Sequence, residues 1–360
     1  MRLGTSAFDT SPQHMLRLLA EAAKARGHDV LPPFDPKDQE LCRHIDEQRD
    51  RLVMLVGLST IDAEARVIAA CAKKQVPAYA VADTWGTLQR PWLKAPGVNP
   101  VSQLSGAFAA FPDDVRTARD FGHKNVRYAG PPPHWVEKLE NMCNAQSLAD
   151  RLRKKTGSAA SDPFSPADRL LYIAGSKRPP RETHAFWKEA LVAAQEHGFV
   201  TRFQRHPGEE TLYMDEARER AALESTGVQL AREITEGEKL QAKNFTDEEL
   251  AELAEIVFYT GGGPTGSIVA AMRRKRLLYA HDPRMAKQVE GASGWFVADR
   301  NAAHIVRSPE EVRAGITHLL SGSGASAQQK VQEVHFPVLN ATKEEAAAEV
   351  IQALEEAVRE

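Results

Sequence analysis

The sequence predicts an α/β protein built from two doubly wound parallel-sheet domains. Strand and helix patterns alternate along almost the whole chain, which is typical of parallel strands joined by helical crossovers. The stretch 51–57 (RLVMLVG) is nearly all apolar, as in a strand that is buried on both faces. The chain has 360 residues, which exceeds one core of ordinary size and suits two domains.

The first domain is predicted over residues 1–153. Ser11-Pro12 favours a helix start because proline fits a first turn, and Gly27 is a suitable end for that helix. Glycine and three prolines stop the last strand at Gly130. The predicted strands are 2–8, 28–31, 51–57, 78–82, 106–111 and 126–129, and two further helices are predicted at 63–74 and 113–121.

A linker separates the two predicted domains at 154–167 (KKTGSAASDPFSPA), where periodicity is lost and small residues and prolines accumulate. The second domain, residues 168–340, begins with a strand at 170–174, a helix at 181–197 and a strand at 200–204. It then reaches 255–280 (EIVFYTGGGPTGSIVAAMRRKRLLYA), in which a strand, three glycines, a helix and a second strand follow one another.

Residues 341–360 are predicted to form a terminal helix. Thr342 and Glu345 make a capping box, and apolar residues recur along one face of the helix. That face needs an apolar partner, so the helix is expected to pack back toward the first domain.

Composition indicates a globular protein that binds small molecules. Apolar residues make up 42% of the chain, charged residues 26%, and the formal net charge is -3, so no general nucleic-acid or membrane surface is expected. Three scattered cysteines favour a reduced, cytoplasmic protein, and no stretch is typical of a signal peptide or a membrane span. The basic run 273–276 is interpreted as structural, because cations at a helix end offset the helix dipole.

Three segments of the second domain suit a phosphate or diphosphate. Glycines allow close approach of the backbone, helix-start N–H groups favour anions, and the neighbouring cations add positive charge. The structural alternatives are a tight turn for the glycine segment and solvated loop charges for the two cationic segments. Because all three directly follow strands, they are expected to meet at one rim and form a diphosphate cradle. The candidate residues are Lys177, Arg178, Arg205, His206, Gly261, Gly262, Gly263, Thr265 and Ser267.

The order of these elements resembles the GT-B architecture, in which two Rossmann-like domains face a cleft. This architecture is shared by nucleotide-sugar glycosyltransferases, UDP-N-acetylglucosamine 2-epimerases and CDP-glycerol glycerophosphotransferases. The resemblance covers nearly the whole chain and is carried by short motifs: Arg26-Gly27-His28-Asp29-Val30, Tyr128-Ala129-Gly130-Pro131, Arg205-His206-Pro207 and the glycine-rich helix start at Gly261.

The resemblance implies roles for residues of the second domain. His206 is expected to bind the donor phosphate, and the backbone of residues 262–267 is expected to cradle the same group. Related enzymes often hold the ribose with a glutamate, and the matching position here is Val269. A valine cannot accept those hydrogen bonds, so another residue holds the ribose, the donor differs, or nucleotide binding has been lost.

Candidate catalytic residues follow the strands of the first domain. Transfer with inversion needs a base for the acceptor hydroxyl, and Asp9, His14 and Asp83 are the candidates. The resemblance favours His14, since several GT-B transferases carry a histidine at that place. Trp85 can stack on a sugar or a base. The structural alternatives are a helix cap for Asp9, a surface position for His14, a turn contact for Asp83 and local packing for Trp85.

The leading hypothesis is a glycosyltransferase that moves a sugar from a nucleotide-sugar donor to an acceptor hydroxyl. Basic residues and helix amides can stabilise the leaving diphosphate, so no metal and no cofactor beyond the nucleotide-sugar co-substrate is expected. The alternatives are a nucleotide-sugar 2-epimerase, a glycerophosphotransferase, and a GT-B-shaped binding protein without catalysis. The acceptor (a small molecule, a saccharide or a modified polymer), the base, the sugar, the stereochemical outcome and the oligomeric state stay open.

Overall fold

The computed structural model of the chain describes residues 1–59, 62–84, 87–94, 99–143, 169–174, 181–204, 247–259, 264–280, 296–336 and 341–360. These residues divide into two units. The first unit contains the described residues of Met1–Glu137 and Leu339–Glu360, and the second contains those of Lys138–Val289 and Gly294–Val338.

A six-stranded sheet forms the centre of the first unit. Its strands are β1 (Arg2–Ser6), β2 (Asp29–Val30), β3 (Leu52–Gly57), β4 (Ala78–Val81), β5 (Gly106–Ala109) and β6 (Val126–Tyr128). The helices of the first unit are α1 (Thr10–Ala25), α2 (Leu41–Glu47), α3 (Ala65–Lys73), α4 (Pro100–Gln103) and α5 (Pro112–Phe121), with 3-10 turns at Asp62–Glu64, Thr87–Gln89 and Pro91–Lys94. The helix α6 (Pro133–Cys143) begins in the first unit, and its residues from Lys138 onward are assigned to the second unit.

The strand order of this sheet is β2-β1-β3-β4-β5-β6, and every neighbouring pair is parallel. The strand β2 therefore lies on one side of β1, and β3 and the strands that follow it lie on the other side. In open α/β sheets, ligands bind beyond the carboxyl ends of the strands where the order reverses in this way. The ends of β1 and β3 are that position in the first unit.

The second unit is also built on a parallel sheet. Its strands are β7 (Arg169–Ala174), β8 (Phe199–Gln204), β9 (Ile256–Tyr259), β10 (Arg276–Ala280) and β11 (His304–Val306). Its helices are α7 (Arg181–Glu196), α8 (Asp247–Leu253), α9 (Pro264–Met272), α10 (Phe296–Asp299), α11 (Glu311–Leu320) and α12 (Gly322–His335).

The order of the second sheet is β11-β10-β9-β7-β8, so its reversal lies between β7 and β9. Ala174 at the end of β7 pairs with Gln204 at the end of β8 and with Tyr259 at the end of β9. Three neighbouring strands therefore end at the same level. The prediction of two doubly wound parallel sheets is confirmed.

The terminal helix α13 (Lys343–Arg359) belongs to the first unit and packs along α1. Its capping box is formed: the Thr342 side chain accepts from the Glu345 amide, and the Glu345 carboxylate accepts from the Thr342 amide. Val350, Ile351 and Leu354 are buried in the same apolar cluster as the residues of α1 that face the sheet. The capping box that the sequence predicts is confirmed.

Glu355 fixes α13 to the end of α1. Its carboxylate accepts two hydrogen bonds of 2.9 Å from Arg26, and its Oε1 lies 2.6 Å from Nε2 of His28. The bonds from Arg26 and His28 lower the pKa of Glu355 to about 2. Since the folded pKa lies below the unfolded value, the stabilisation is present above about pH 4 and is lost as the pH falls toward 2.

Replacing Glu355 with glutamine is therefore expected to lower the free energy of unfolding by about 1 kcal/mol at pH 7. Urea unfolding at several pH values measures the difference between the two proteins. The difference should shrink as the pH falls from 5 to about 2, in the range set by the pKa of Glu355. A difference that stays constant over that range would contradict the role given to Glu355.

The basic run Arg273–Arg276 is paired within the second unit. Arg273 and Lys275 contact Glu252, while Arg276 lies 2.7 Å from a carboxylate oxygen of Glu255. Arg274 donates to three backbone carbonyls, those of Ala271, Gln332 and Phe336. The structural interpretation of this run is confirmed.

Gln328 of α12 forms hydrogen bonds with the backbone of β10 at a position that does not pair with β11. Its side chain donates to the Leu277 carbonyl at 2.8 Å and accepts from the Leu277 amide at 2.9 Å. Gln328→Leu would leave both buried backbone groups unpaired, and we expect a loss of about 2 kcal/mol in the free energy of unfolding. The neighbouring Gln329→Leu, which removes an exposed contact to Glu333, should change it by about 0.5 kcal/mol or less. Equal losses in the two variants, measured by urea unfolding, would contradict this expectation.

The boundaries of the predicted elements shift by one or two residues, and seven helices and strands of the described structure were not predicted. The helices α2, α4, α6, α10, α11 and α12 and the short edge strand β11 have no counterpart in the sequence-based prediction. Two residues of α2 are buried, Leu41 and Ile45, so its apolar pattern is short. Among the helices that the structure describes, none is both long and apolar enough to cross a bilayer.

Candidate functional site

The site of the first unit lies where β1 and β3 end beside the first turn of α1. Gly57 ends β3, and a Cβ at this position would lie 2.6 Å from the Cβ of Pro12. Contacts this short do not occur in folded proteins, so only glycine allows the helix start to approach the strand so closely. Asp9 precedes the helix in an extended conformation, and its side chain makes no capping hydrogen bond.

Glu64 and Ser59 fix the backbone that follows β1. The Glu64 side chain is fully buried, and its carboxylate accepts from the Phe8 amide at 2.6 Å, the Ser59 hydroxyl at 2.5 Å and the Ser59 amide at 3.2 Å. The Ser59 oxygen in turn accepts from the Asp9 amide at 2.8 Å. Burial raises the pKa of Glu64, and these hydrogen bonds oppose the increase. The position of Asp9 therefore depends on a carboxylate far away in sequence.

Asp83 follows β4 and is 5% exposed. Thr87 donates to its Oδ1 at 3.0 Å, and Ser11 of α1 is a second hydrogen-bond donor to the carboxylate. Burial raises the pKa of Asp83, opposed by the charge of Arg90 and by these hydrogen bonds. A carboxyl group with a perturbed pKa is typical of residues that act as acids or bases in a reaction.

Arg90 lies among three carboxylates. The charges of Asp83, Asp9 and Glu64 favour its protonated form, while burial lowers its pKa. The guanidinium stays charged, because its intrinsic pKa is far above neutrality. The positive charge of Arg90 therefore interacts with Asp9 and Glu64 as well as with Asp83.

His14 forms a second cluster on the same helix start. Its Nε2 lies 2.6 Å from Glu137 of α6, and Glu137 also accepts a hydrogen bond of 2.8 Å from Lys343. Lys343 and the charge of His14 lower the pKa of Glu137 despite its partial burial. A carboxylate beside an imidazole stabilises the imidazolium that forms when the ring accepts a proton.

Ser11 and His134 lie between these two clusters. The Ser11 hydroxyl is 3.4 Å from His134 Nε2, and the rings of His134 and His14 have centroids 6.4 Å apart. Since Ser11 also donates to Asp83, the structure brings all three predicted catalytic candidates of the first domain into one region.

The predicted binding residues are described only in part. Most of them lie outside the described residues: Lys177, Arg178, Arg205, His206, Gly261, Gly262, Gly263, Trp85 and the side chain of Thr265. Ser267 is buried in α9, and Val269 of the same helix is 1% exposed. Val269 packs in the core of the second unit, so this position offers no contact to a ribose.

Five residues of this region were not predicted as site residues: Ser11, Glu64, Arg90, His134 and Glu137. The signal that selected Asp9 and Asp83 was their position directly after a strand. Glu64 is the last residue of a 3-10 turn, and Glu137 lies inside a helix, where charged residues usually face solvent. Within the described part of the chain, no group of three or more metal-binding side chains occurs.

No protein-family model and no curated protein sequence matches the chain. Solved structures match it over nearly its full length. The S. aureus MnaA–UDP complex is 11% identical, with 100% of this chain and 97% of the other covered and a TM-score of 0.63. The UDP-GlcNAc 2-epimerase from Neisseria meningitidis, bound to UDP-GlcNAc, is 10% identical with coverages of 99% and 100% and a TM-score of 0.60. MurG from Acinetobacter baumannii is 12% identical with coverages of 99% and 99% and a TM-score of 0.57.

At such low identity these matches establish the fold alone. The similar structures include epimerases and a glycosyltransferase, so one fold supports more than one reaction. The two parallel sheets and these matches together show that the chain has the GT-B fold.

Proposed function

We propose that this protein is a glycosyltransferase that moves a sugar from a nucleotide-sugar donor to an acceptor hydroxyl. The observation that carries the proposal is the pair formed by His14 and Glu137 at the carboxyl rim of the first sheet. Sugar transfer with inversion requires a base that takes the proton of the acceptor hydroxyl. An imidazole beside a carboxylate is suited to that role, because the carboxylate stabilises the charge that the ring acquires.

We assign the nucleotide-sugar donor to the second unit because of the sequences that directly follow three of its strands. Gln204, Ala174 and Tyr259 are neighbours in register, and the sequence continues from them with Arg205-His206, Gly175-Ser-Lys-Arg178 and Thr260-Gly-Gly-Gly263. These sequences are rich in cations and glycine, which suit a diphosphate. Similar structures have been solved with UDP or UDP-GlcNAc bound, which favours a uridine nucleotide as the first donor to test. The leaving diphosphate is stabilised by these cations and amides, and no metal is required.

A 2-epimerase is the second candidate. Two of the similar structures are UDP-GlcNAc 2-epimerases, and epimerisation by elimination and re-addition needs several ionisable groups around the sugar. Asp9 and Asp83 at the rim of the first sheet supply such groups, and Arg90 adds a fixed positive charge beside them.

Product analysis separates the two reactions. The protein is incubated with UDP-, GDP-, CDP-, ADP- and dTDP-sugars, with and without a panel of saccharide acceptors. A transferase releases nucleoside diphosphate in step with a new glycosidic product and only slowly without acceptor. An epimerase converts the lone nucleotide sugar to its C2 epimer. Turnover of none of these donors would contradict both candidates.

A further inference from the structure

Lys343 of the terminal helix contacts the same carboxylate as His14. Glu137 Oε2 lies 2.6 Å from His14 Nε2, and Glu137 Oε1 lies 2.8 Å from Lys343 Nζ. The three side chains belong to α1, α6 and α13, and each of them is partly buried. A single carboxylate therefore joins a cation of the last helix to the imidazole proposed as the base.

A lysine at the start of a helix is unfavourable unless an anion lies close to it. Lys343 is the first residue of α13 and directly follows the capping residue Thr342. The positive end of the helix dipole lies there, so acidic residues such as Glu344 and Glu345 are favoured and cations are disfavoured. Glu137 supplies the negative charge that offsets this repulsion. The placement of Lys343 is therefore explained by its contact with Glu137.

Glu137 keeps its negative charge at neutral pH. Partial burial raises the pKa of Glu137, but the hydrogen bond from Lys343 and the charges of His14 and Arg17 lower it more, so the pKa lies below its ordinary value. An ionised carboxylate only accepts hydrogen bonds, so the nitrogen of His14 that faces it, Nε2, carries a hydrogen. The other ring nitrogen, Nδ1, is then the atom that can accept a proton.

The charge of Lys343 opposes the effect of Glu137 on His14. A carboxylate beside an imidazole favours the imidazolium, and an imidazolium cannot accept a further proton. Because Lys343 is bound to Glu137, a proton on His14 faces a carboxylate whose charge is offset. Arg17 acts on Glu137 in the same direction, and the ring of His134, 6.4 Å from that of His14, repels the imidazolium when it is itself protonated. Removal of Lys343 should therefore favour the protonated form of His14.

We infer that Lys343 is a positioning residue that lowers, through Glu137, the pH at which His14 takes up a proton, compared with Glu137 alone. A general base must be unprotonated at the pH of the reaction, and the contact with the terminal helix favours that form. The inference rests on the proposed function for the role of His14 as the base. It goes beyond that function by assigning control of the base to a residue of α13.

Lys343→Met tests the inference, because methionine keeps much of the length of the side chain and removes its charge. NMR of the histidine Hε1–Cε1 groups follows the protonation of His14 in the whole protein as the pH is varied, without any substrate, and His14→Ala identifies its signal. The midpoint of the His14 titration in Lys343→Met should lie about 0.5–1 pH unit above that of the wild type, as expected when a charge next to the bonded carboxylate is removed. Under the proposed function, the acid limb of the pH profile of kcat/KM should move in the same direction.

Two further variants separate this role from a structural one. Lys343→Arg keeps the positive charge, so His14 should titrate as in the wild type. Lys24→Met removes the same charge from α1 at a position about 15 Å further along the helix than His14, where salt screens it, so His14 should again titrate as in the wild type. A purely structural contact would lower the midpoint of urea unfolding in Lys343→Met without moving the titration of His14.

Three results would overturn the inference. His14 could titrate in Lys343→Met at the same pH as in the wild type or at a lower one. The titration could shift as far in Lys343→Arg as in Lys343→Met, or it could shift as far in Lys24→Met.

Failure of this inference and failure of the proposed function give different results. A protein in which His14 responds to Lys343→Met as expected, but which turns over no nucleotide sugar, retains the control by Lys343 and loses the transferase proposal. A transferase in which His14 titrates identically in the wild type and in Lys343→Met retains the proposed function and loses this inference.

Discussion

Replacing His14 with alanine should reduce the rate of sugar transfer about a hundredfold or more, the range typical of a lost general base. The variant removes the imidazole that lies 2.6 Å from Glu137 and leaves the acceptor hydroxyl without a proton acceptor. Initial rates at saturating donor and acceptor measure the effect. The main loss should appear in kcat, because the proton is transferred on the way to the transition state.

Two comparisons separate this role from a structural one. Added imidazole should restore part of the activity of His14→Ala, which a defect in folding would not allow. His44→Ala is the matched control, since His44 lies at the same distance of 2.6 Å from Asp38 but belongs to α2. If His14→Ala and His44→Ala have the same kcat, His14 is not the base.

Replacing Glu64 with leucine should have the largest effect on stability, a loss of about 3 kcal/mol in the free energy of unfolding. The buried Glu64 carboxylate accepts from two backbone amides and one hydroxyl, and leucine accepts from none. The Phe8 amide keeps only its longer bond of 3.2 Å to Ser59. Urea unfolding should show a lower midpoint with an unchanged slope.

Glu21→Leu is the control for this prediction, because Glu21 is exposed on α1 and pairs only with Arg17 in the described structure. Its effect should be about 0.5 kcal/mol or less. A Glu64 variant as stable as the Glu21 variant would mean that the hydrogen bonds of Glu64 do not hold the turn after β1.

The fold was predictable because its signals are local. The apolar run of β3, the alternation of strands with amphipathic helices and the capping box of α13 can each be read within a few consecutive residues. The short helix α2 and the three-residue strand β11 carry too few apolar residues for such a reading. Their formation depends on packing against elements far away in sequence.

The candidate site was predictable only for residues that directly follow strands. Asp9, His14 and Asp83 were selected on that rule or by resemblance, and the structure brings them into one region. The partners that give them their environment were missed. Glu64 contacts Phe8 across 56 positions, and Glu137 approaches His14 from another helix. No local pattern distinguishes such buried or paired carboxylates from solvated ones.

The proposed function requires the second unit to bind a nucleotide. Calorimetric titration of the wild-type protein with UDP, GDP, CDP, ADP and dTDP tests it most directly, with His206→Ala as the variant that the sequence selects. We expect saturable binding of at least one of these nucleotides by the wild-type protein and clearly weaker binding by the variant. Binding of none of them by the folded wild-type protein would contradict it.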